Sequence, residues 1–291
     1  VLASCGSSSE TSSDTVAVTA DVFPVTVGDL TLDAQPTRII SLSPTATEML
    51  YAIGAGSQVV AVDEYSNYPA EAVALGTPLS GFEPNIEAIS GYTPDLVIIS
   101  YDPGSLVEQL STLNIPVFVA GAAMSIENVY EQIEQLGVLS GNSQKAIEVS
   151  KTLQAGIEEA VASVQFSEPP LSYYYELDNT YYSVTSNTFI GQIFNLFGMR
   201  NIADNVESGN DYPQLSAEVI VSADPDFIFL ADTKCCAQDA TTVAARDGWG
   251  GLKAVTANQV VELDDDVASR WGPRVLELIT AIRDAVVAAN S

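Results

Sequence analysis

The chain has 291 residues, enough for two lobes of ordinary domain size, and its 47% hydrophobic, 16% charged composition is that of folded protein rather than disorder. Thirty-eight acids against ten lysines and arginines give a net charge of −28, which leaves no basic stripe for phosphates, excludes nucleic acid as a partner and argues against adsorption to an anionic membrane face. No histidine occurs, so Ser-His-Asp or Cys-His catalysis, His-ligated zinc and imidazole-bound haem are all excluded.

The opening residues Val1-Leu2-Ala3-Ser4-Cys5 look like the end of a bacterial lipoprotein signal, with Cys5 as the lipidated residue. Gly6 and a Ser/Thr-rich run to Thr15 follow, so residues 1–35 are expected to be a lipobox remnant and flexible tether. Buried acyl chains would anchor such a protein at about 0.8 kcal/mol per CH₂. No later run of about 20 apolar residues is present to span a membrane.

Residues 36–140 read as a first α/β lobe. Arg38 to Leu42 is a strand entering a helix that Ser43 caps, Pro44 opens and Gly54 closes. Val59 to Val62, Leu96 to Ser100 and Val117 to Val119 are further strands, with short helices from Pro84 through Ile89 and over Ser105 to Leu113. Continuous apolar strands alternating with helices predict a parallel sheet covered on both faces, with ligand at the C-terminal strand edge. Tyr65, Tyr68, Phe82 and Tyr101 fall on loops at that edge.

Residues 141–166 hold the longest periodic stretch. Ala146, Val149, Leu153, Ile157, Val161 and Val164 form one apolar stripe over Ser143–Gln165, a rod of roughly 35 Å with Ser143 as its expected N-cap. It reads as a helix joining two lobes. In the second lobe, residues 167–291, strands are expected at Leu171–Leu177, Tyr181–Val184, Phe227–Leu230 and Val260–Leu263. Helices follow at Phe189–Phe197, after Tyr212-Pro213, and from Gly272-Pro273-Arg274 onward.

The two halves share landmarks. Glu87 stands seven residues before Pro94-Asp95, as Glu218 stands seven before Pro225-Asp226, and Thr47 to Gly54 matches Gly191 to Gly198. Adjacent Cys235 and Cys236 follow a strand, where an exported protein can close them into a vicinal disulfide or keep two thiols.

RIISLSPTATEMLYAIG (Arg38–Gly54), SNYP (Ser66–Pro69), PNIEAI with PDLVI (Pro84–Ile98) and DDDVASRWGPR (Asp264–Arg274) resemble the periplasmic-type binding proteins of ABC importers for iron chelates and cobalamin. The resemblance covers about Arg38 to Ala289. It implies two Rossmann-like α/β lobes, each with a parallel-rich sheet flanked by helices, bridged by one long, stiff helix. It further implies a non-enzymatic, monomeric, exported protein, lipid-anchored or periplasmic, that binds a metal-chelate small molecule and carries no cofactor or metal site of its own. Its partner would be an ABC permease dimer with its ATPase, docked through Glu87 and Glu218. Ligand contacts carried over from the family fall on Tyr68, Phe82, Tyr212 and Arg270, with Tyr101, Tyr181 or Tyr182 and Trp271 beside them. With only Arg270 and Arg274 placed to help, a neutral or weakly charged chelate fits better than a strongly anionic one. Ferric hydroxamates and cobalamin stay open, and haem would depend on tyrosine ligation. A surface sensor and a chelatase-like enzyme are the readings from other classes. The first would tolerate loss of Glu87 and Glu218, and the second would need a metal-handling site that only Cys235-Cys236 could supply.

Overall fold

The computed structural model describes residues 21–290, and Cys5 lies outside the described residues. Order begins earlier than the expected tether allows. Val25–Val27 (β1) and Leu30–Leu32 (β2) form an antiparallel hairpin across Gly28, whose φ of +56° suits glycine, and Leu32 is buried in the core. Alternation of small apolar and polar residues makes this ribbon two-faced, so residues 25–32 belong to the folded body.

In the N-terminal lobe, Ile39–Leu42 (β3) leads into Pro44–Ala52 (α1), where Ser43 accepts the Ala46 N–H and proline takes the first helical position. Val59–Val62 (β4), Ala70–Val73 (α2), Ile86–Gly91 (α3), Leu96–Ile99 (β5), Leu106–Ser111 (α4) and Val117–Val119 (β6) follow. The sheet is parallel, in the order β4-β3-β5-β6. All of β3 and β5 are buried, as strands in a parallel sheet covered on both faces must be; the one polar side chain among them, Ser41, donates its hydroxyl to the Ser43 carbonyl.

Ile126–Ser140 (α5) precedes Ser143–Ala162 (α6), the expected bridging helix. No helix is among the elements expected just before Gly141, yet Val129, Ile133, Leu136 and Leu139 bury one stripe of α5 at helical spacing. Gly141 turns the chain at φ +73°. A Cβ at Gly137 would stand 2.3 Å from the Ala146 Cβ, so glycine permits the close packing of the two helices. The N-cap of α6 is Asn142, without a side-chain cap bond, and not Ser143; the Ser143 N–H is instead satisfied by the Asp21 carboxylate at 2.9 Å.

The C-terminal lobe contains Ser172–Glu176 (β7), Phe189–Asn195 (α7), Arg200–Asn201 (β8), Ala217–Ala223 (α8), Phe227–Leu230 (β9), Ala240–Ala244 (α9), Lys253–Thr256 (α10), Val260–Glu262 (β10), Asp265–Ala268 (α11) and Val275–Ala289 (α12). Its sheet order, β8-β7-β9-β10, repeats that of the first lobe. The expected strand Tyr181–Val184 does not form. Tyr181 has φ +73° and Tyr182 makes a single bridge to Gln214, while β8 takes the edge beside β7.

One continuous apolar core runs from Ile39 and Leu96 through Leu153 and Ile157 of α6 to Tyr173, Phe194 and Leu278. Each sheet packs a second cluster on its other face. One stripe of the bridge, Ala146, Leu153, Ile157 and Ala160, is thus packed into the core that both lobes share, which stiffens the link between them, while its other face is exposed. Among the described residues no helix is long and apolar enough to cross a membrane.

Candidate ligand cleft between the lobes

A cavity of about 470 Å³ opens where β3, β4 and β5 end, lined there by Leu42, Asp63 and Ser100 and closed from the other lobe by Asp266, Arg270 and Trp271. This is the strand edge at which parallel sheets bind ligands. Phe82 lines it at 62% exposure, edge-on to Tyr65 with centroids 5.5 Å apart and tilted to Tyr101 at 6.2 Å. Three rings on loops leave a large apolar surface uncovered, which a folded chain rarely does without a partner for it. Gly81 allows the approach: a Cβ there would meet the Leu42 carbonyl at 2.7 Å. Asp63, at the cavity floor, is raised above the ordinary carboxylate range by burial, which outweighs its hydrogen bond from Ser66 and the Arg270 charge.

Phe82, Tyr101, Arg270 and Trp271 of the sequence-derived set therefore meet at one cavity. Tyr65, which the sequence places on the loops of this edge though not among the ligand contacts, joins them two residues after Asp63. Arg270 does not stand free for an anionic ligand. It is buried, and donates from Nη1 to Glu48 Oε1 at 2.8 Å and Asn67 Oδ1 at 2.9 Å, and from Nη2 to Asp266 Oδ1 at 2.8 Å and the Tyr65 carbonyl at 3.0 Å. Two carboxylates and two neutral acceptors occupy its fork, so it latches the lobes together. Trp271 is half-buried, and its Nε1 donates to Gln132 Oε1 across the cleft at 3.0 Å.

Tyr68 lies elsewhere. It lines a wider crevice of about 1400 Å³ between α1, α2 and α12, and its ring carries the Arg274 guanidinium 4.3 Å from the centroid. Glu48 divides the two spaces, accepting from Arg270 on the cleft side and from Arg274 Nη2 at 2.7 Å on the crevice side. Tyr182 and Tyr212 sit on facing stretches of the C-terminal lobe joined by the Ser183 N–H to the Pro213 carbonyl at 3.0 Å. Both are exposed, and neither lines the cavity.

Glu87 and Glu218 occupy equivalent places. Each is the second residue of its helix, after Asn85, which accepts from Ala88 N, and Ser216, which accepts from Val219 N. Each is exposed, and neither pairs with a cation among the described residues. Asp95 and Asp226 repeat too, accepting the Arg38 and Ser172 backbone N–H groups at 2.9 and 2.8 Å at the foot of β3 and β7. The Thr47–Gly54 and Gly191–Gly198 spacings are offset, because Thr47 follows its cap Ser43 by four residues and Gly191 follows Thr188 by three.

Beneath the C-terminal lobe's cleft edge, Glu176 is fully buried in a two-point pair with Arg246, both contacts 2.6 Å. Asp232 is also fully buried, and among the described residues neither of its carboxylate oxygens has a hydrogen-bond partner. Burial first, and then the Glu176 charge, push Asp232 up to about 7. Cys235 and Cys236 follow on the same loop as thiols.

The chain matches the periplasmic binding protein family over residues 39–267. It is 29% identical over 300 residues to the uncharacterized ABC transporter substrate-binding lipoprotein YvrC of Bacillus subtilis, covering 98% of this chain and 93% of that protein. It is 32% identical over 277 residues to a cobalamin-binding protein of Halobacterium salinarum, covering 90% and 74%. The crystal structure of the periplasmic vitamin B12 binding protein BtuF of Vibrio cholerae superposes with a TM-score of 0.73 at 29% identity, covering 88% of this chain and 98% of that one. Two like-ordered parallel sheets, one bridging helix packed into their shared core and a cavity between them carry the same assignment as these matches: the chain belongs to the periplasmic binding protein family.

Proposed function

We propose that this protein is the extracytoplasmic substrate-binding component of an ABC importer, lipid-anchored through Cys5, which holds a metal chelate between its lobes and delivers it to a permease. The observation that carries the reading is the cavity itself, walled by Tyr65, Phe82 and Tyr101 from one lobe and by Trp271 and Arg270 from the other. Because both terminal nitrogens of Arg270 are held by protein acceptors, two of them carboxylates, its charge is already paired, and Asp63 and Asp266 line the cavity. That favours a neutral chelate presenting amide or hydroxyl groups over a tricarboxylate complex. Cobalamin meets this description, and a relative at 32% identity is named for binding it. A corrinoid is larger than the cavity, so its remainder would rest on the exposed rings at the mouth.

Glu87 and Glu218 are the proposed docking points, one per lobe, for basic residues of a two-fold permease. The test is titration of intrinsic Trp and Tyr fluorescence with cyanocobalamin, a ferric hydroxamate and haemin. Saturable quenching by cyanocobalamin is expected. Quenching by the hydroxamate or haemin alone would replace the ligand, and no response to any of the three would remove the chelate reading.

A further inference from the structure

The loop after β9, residues 231–239, is folded around its two cysteines by hydrogen bonds that do not involve sulfur. Asp265 takes the Thr233 hydroxyl at 2.9 Å, the Lys234 N–H at 3.0 Å and the Cys235 N–H at 2.8 Å on one carboxylate. The Asp232 carbonyl takes the N–H groups of Cys236 and Gln238 at 3.2 and 3.3 Å, and Gln238 Nε2 returns to the Cys236 carbonyl at 2.8 Å. Ala237 is held at φ +53°, a left-handed conformation that a non-glycine residue adopts only under such constraint. The two Sγ atoms face each other 2.6 Å apart, with Cys235 exposed and Cys236 half-buried.

We propose that Cys235 and Cys236 are a redox-modification site, closed reversibly by thiol–disulfide exchange into a vicinal disulfide ring on a loop already shaped to hold it. One cysteine thiolate attacks a disulfide carrier R–S–S–R, forming a mixed disulfide and expelling one RS⁻. The second thiolate attacks the protein sulfur of that mixed disulfide, forming the Cys235–Cys236 bond and expelling the second RS⁻. The two thiol protons end on the two released RSH, so the protein loses two electrons and the carrier gains them. Folding has already met the ordering entropy of ring closure, because the backbone on both sides is pinned. Metal capture is the weaker use of this pair, since no cluster of three or more metal-ligating residues exists among the described residues.

The surroundings favour the closed ring. Burial, the neighbouring Cys236 and the Asp265 and Asp232 carboxylates push the Cys235 thiol up to about 12, so the departing thiolate is poorly stabilised when a reductant attacks. The ring also adjoins the lobe latch. Lys234 Nζ holds Asp264 and Asp266, each at 2.7 Å, and Asp266 reaches Arg270 and, across the cleft, Asn67.

The test is alkylation of the exported full chain with iodoacetamide under denaturing, non-reducing conditions, followed by peptide mapping. The peptide carrying both cysteines is expected unalkylated and two hydrogens lighter than its reduced form, taking up two labels only after reduction. Protein reduced, refolded and exposed to oxidised glutathione should regain the ring, whereas Cys235→Ser should end as a glutathione adduct on Cys236. Quantitative labelling without reduction, glutathione adducts on the native pair, or a bond to a second chain would each overturn the proposal. None of these readouts involves ligand, so failure here leaves the proposed function standing.

Discussion

Arg270 and Glu48 meet at 2.8 Å across the cleft, with both side chains buried and the two residues 222 positions apart in the chain. Glu48 takes a second guanidinium from Arg274, so one carboxylate ties the first helix of one lobe to the segment that opens the last helix of the other. Removing the carboxylate leaves the half-buried Arg274 without its pair and the buried Arg270 with Asp266 as its remaining carboxylate. Glu48→Ala should therefore destabilise the protein by about 3–5 kcal/mol in urea unfolding, where an exposed pair would contribute less than about 1 kcal/mol. A loss below about 1 kcal/mol would show that the latch is not a buried pair in solution.

The two crevices make a discriminating pair of substitutions. Phe82→Ala removes an aromatic wall of the cleft cavity and should weaken cyanocobalamin binding by about tenfold. Tyr68→Ala acts in the other space and should leave affinity within about twofold. Equal losses at both positions in a fluorescence titration would place the ligand in the wider crevice.

Docking and ligand binding should separate. Glu87 and Glu218 are exposed and far in role from the aromatic wall, so Glu87→Ala with Glu218→Ala should leave solution affinity unchanged while uptake by cells carrying the permease falls by more than tenfold, about the effect of losing two charge pairs. Uptake that survives the double change would refute the docking assignment.

Asp232 supplies a pH dependence of definite sign. Its folded carboxyl titrates at about 7, above an ordinary carboxylate, so the folded protein holds this proton where the unfolded chain has released it. The group's contribution is most favourable below about pH 4, and it is lost progressively as pH rises to about 7. Asp232→Asn removes the titration. Measured by urea midpoint from pH 4.5 to 8, the variant should gain on the wild type as pH rises. A constant difference between them would rule out the buried proton.

Gly137 tests the α5–α6 seam. Alanine is the better helix former by about 1 kcal/mol, yet its methyl would stand 2.3 Å from the Ala146 Cβ, and no flexible side-chain end is there to yield. Overpacking should win, with Gly137→Ala destabilising by about 1–3 kcal/mol in thermal or urea unfolding.

Much of the architecture was legible residue by residue. The stripe from Ala146 to Val161 marks α6, which ends at Ala162, three residues short of the expected Gln165, and Glu87 and Glu218 before Pro-Asp pairs mark the same place in two lobes, because helical periodicity and strand-opening turns are local properties. Tyr181–Val184 misled for the same reason: its residues suit a strand, but the left-handed Tyr181 and the edge position of β8 are decided by packing. The hairpin at Val25–Leu32 was lost behind a Ser/Thr-rich lead, since three-residue strands hold only when a core is there to receive Leu32.

By itself the sequence determined a histidine-free, strongly acidic, two-lobed α/β chain with one bridging helix, an aromatic loop edge, and an adjacent pair of cysteines. Only the tertiary structure decided what each edge residue does. Arg270 is spent on Glu48 and Asp266, Tyr68 faces Arg274 in a different space, and Phe82, Tyr65 and Tyr101 close on one cavity. The reason is physical: a side chain's charge and shape are written locally, but whether its donors are free depends on acceptors that folding brings from two hundred residues away.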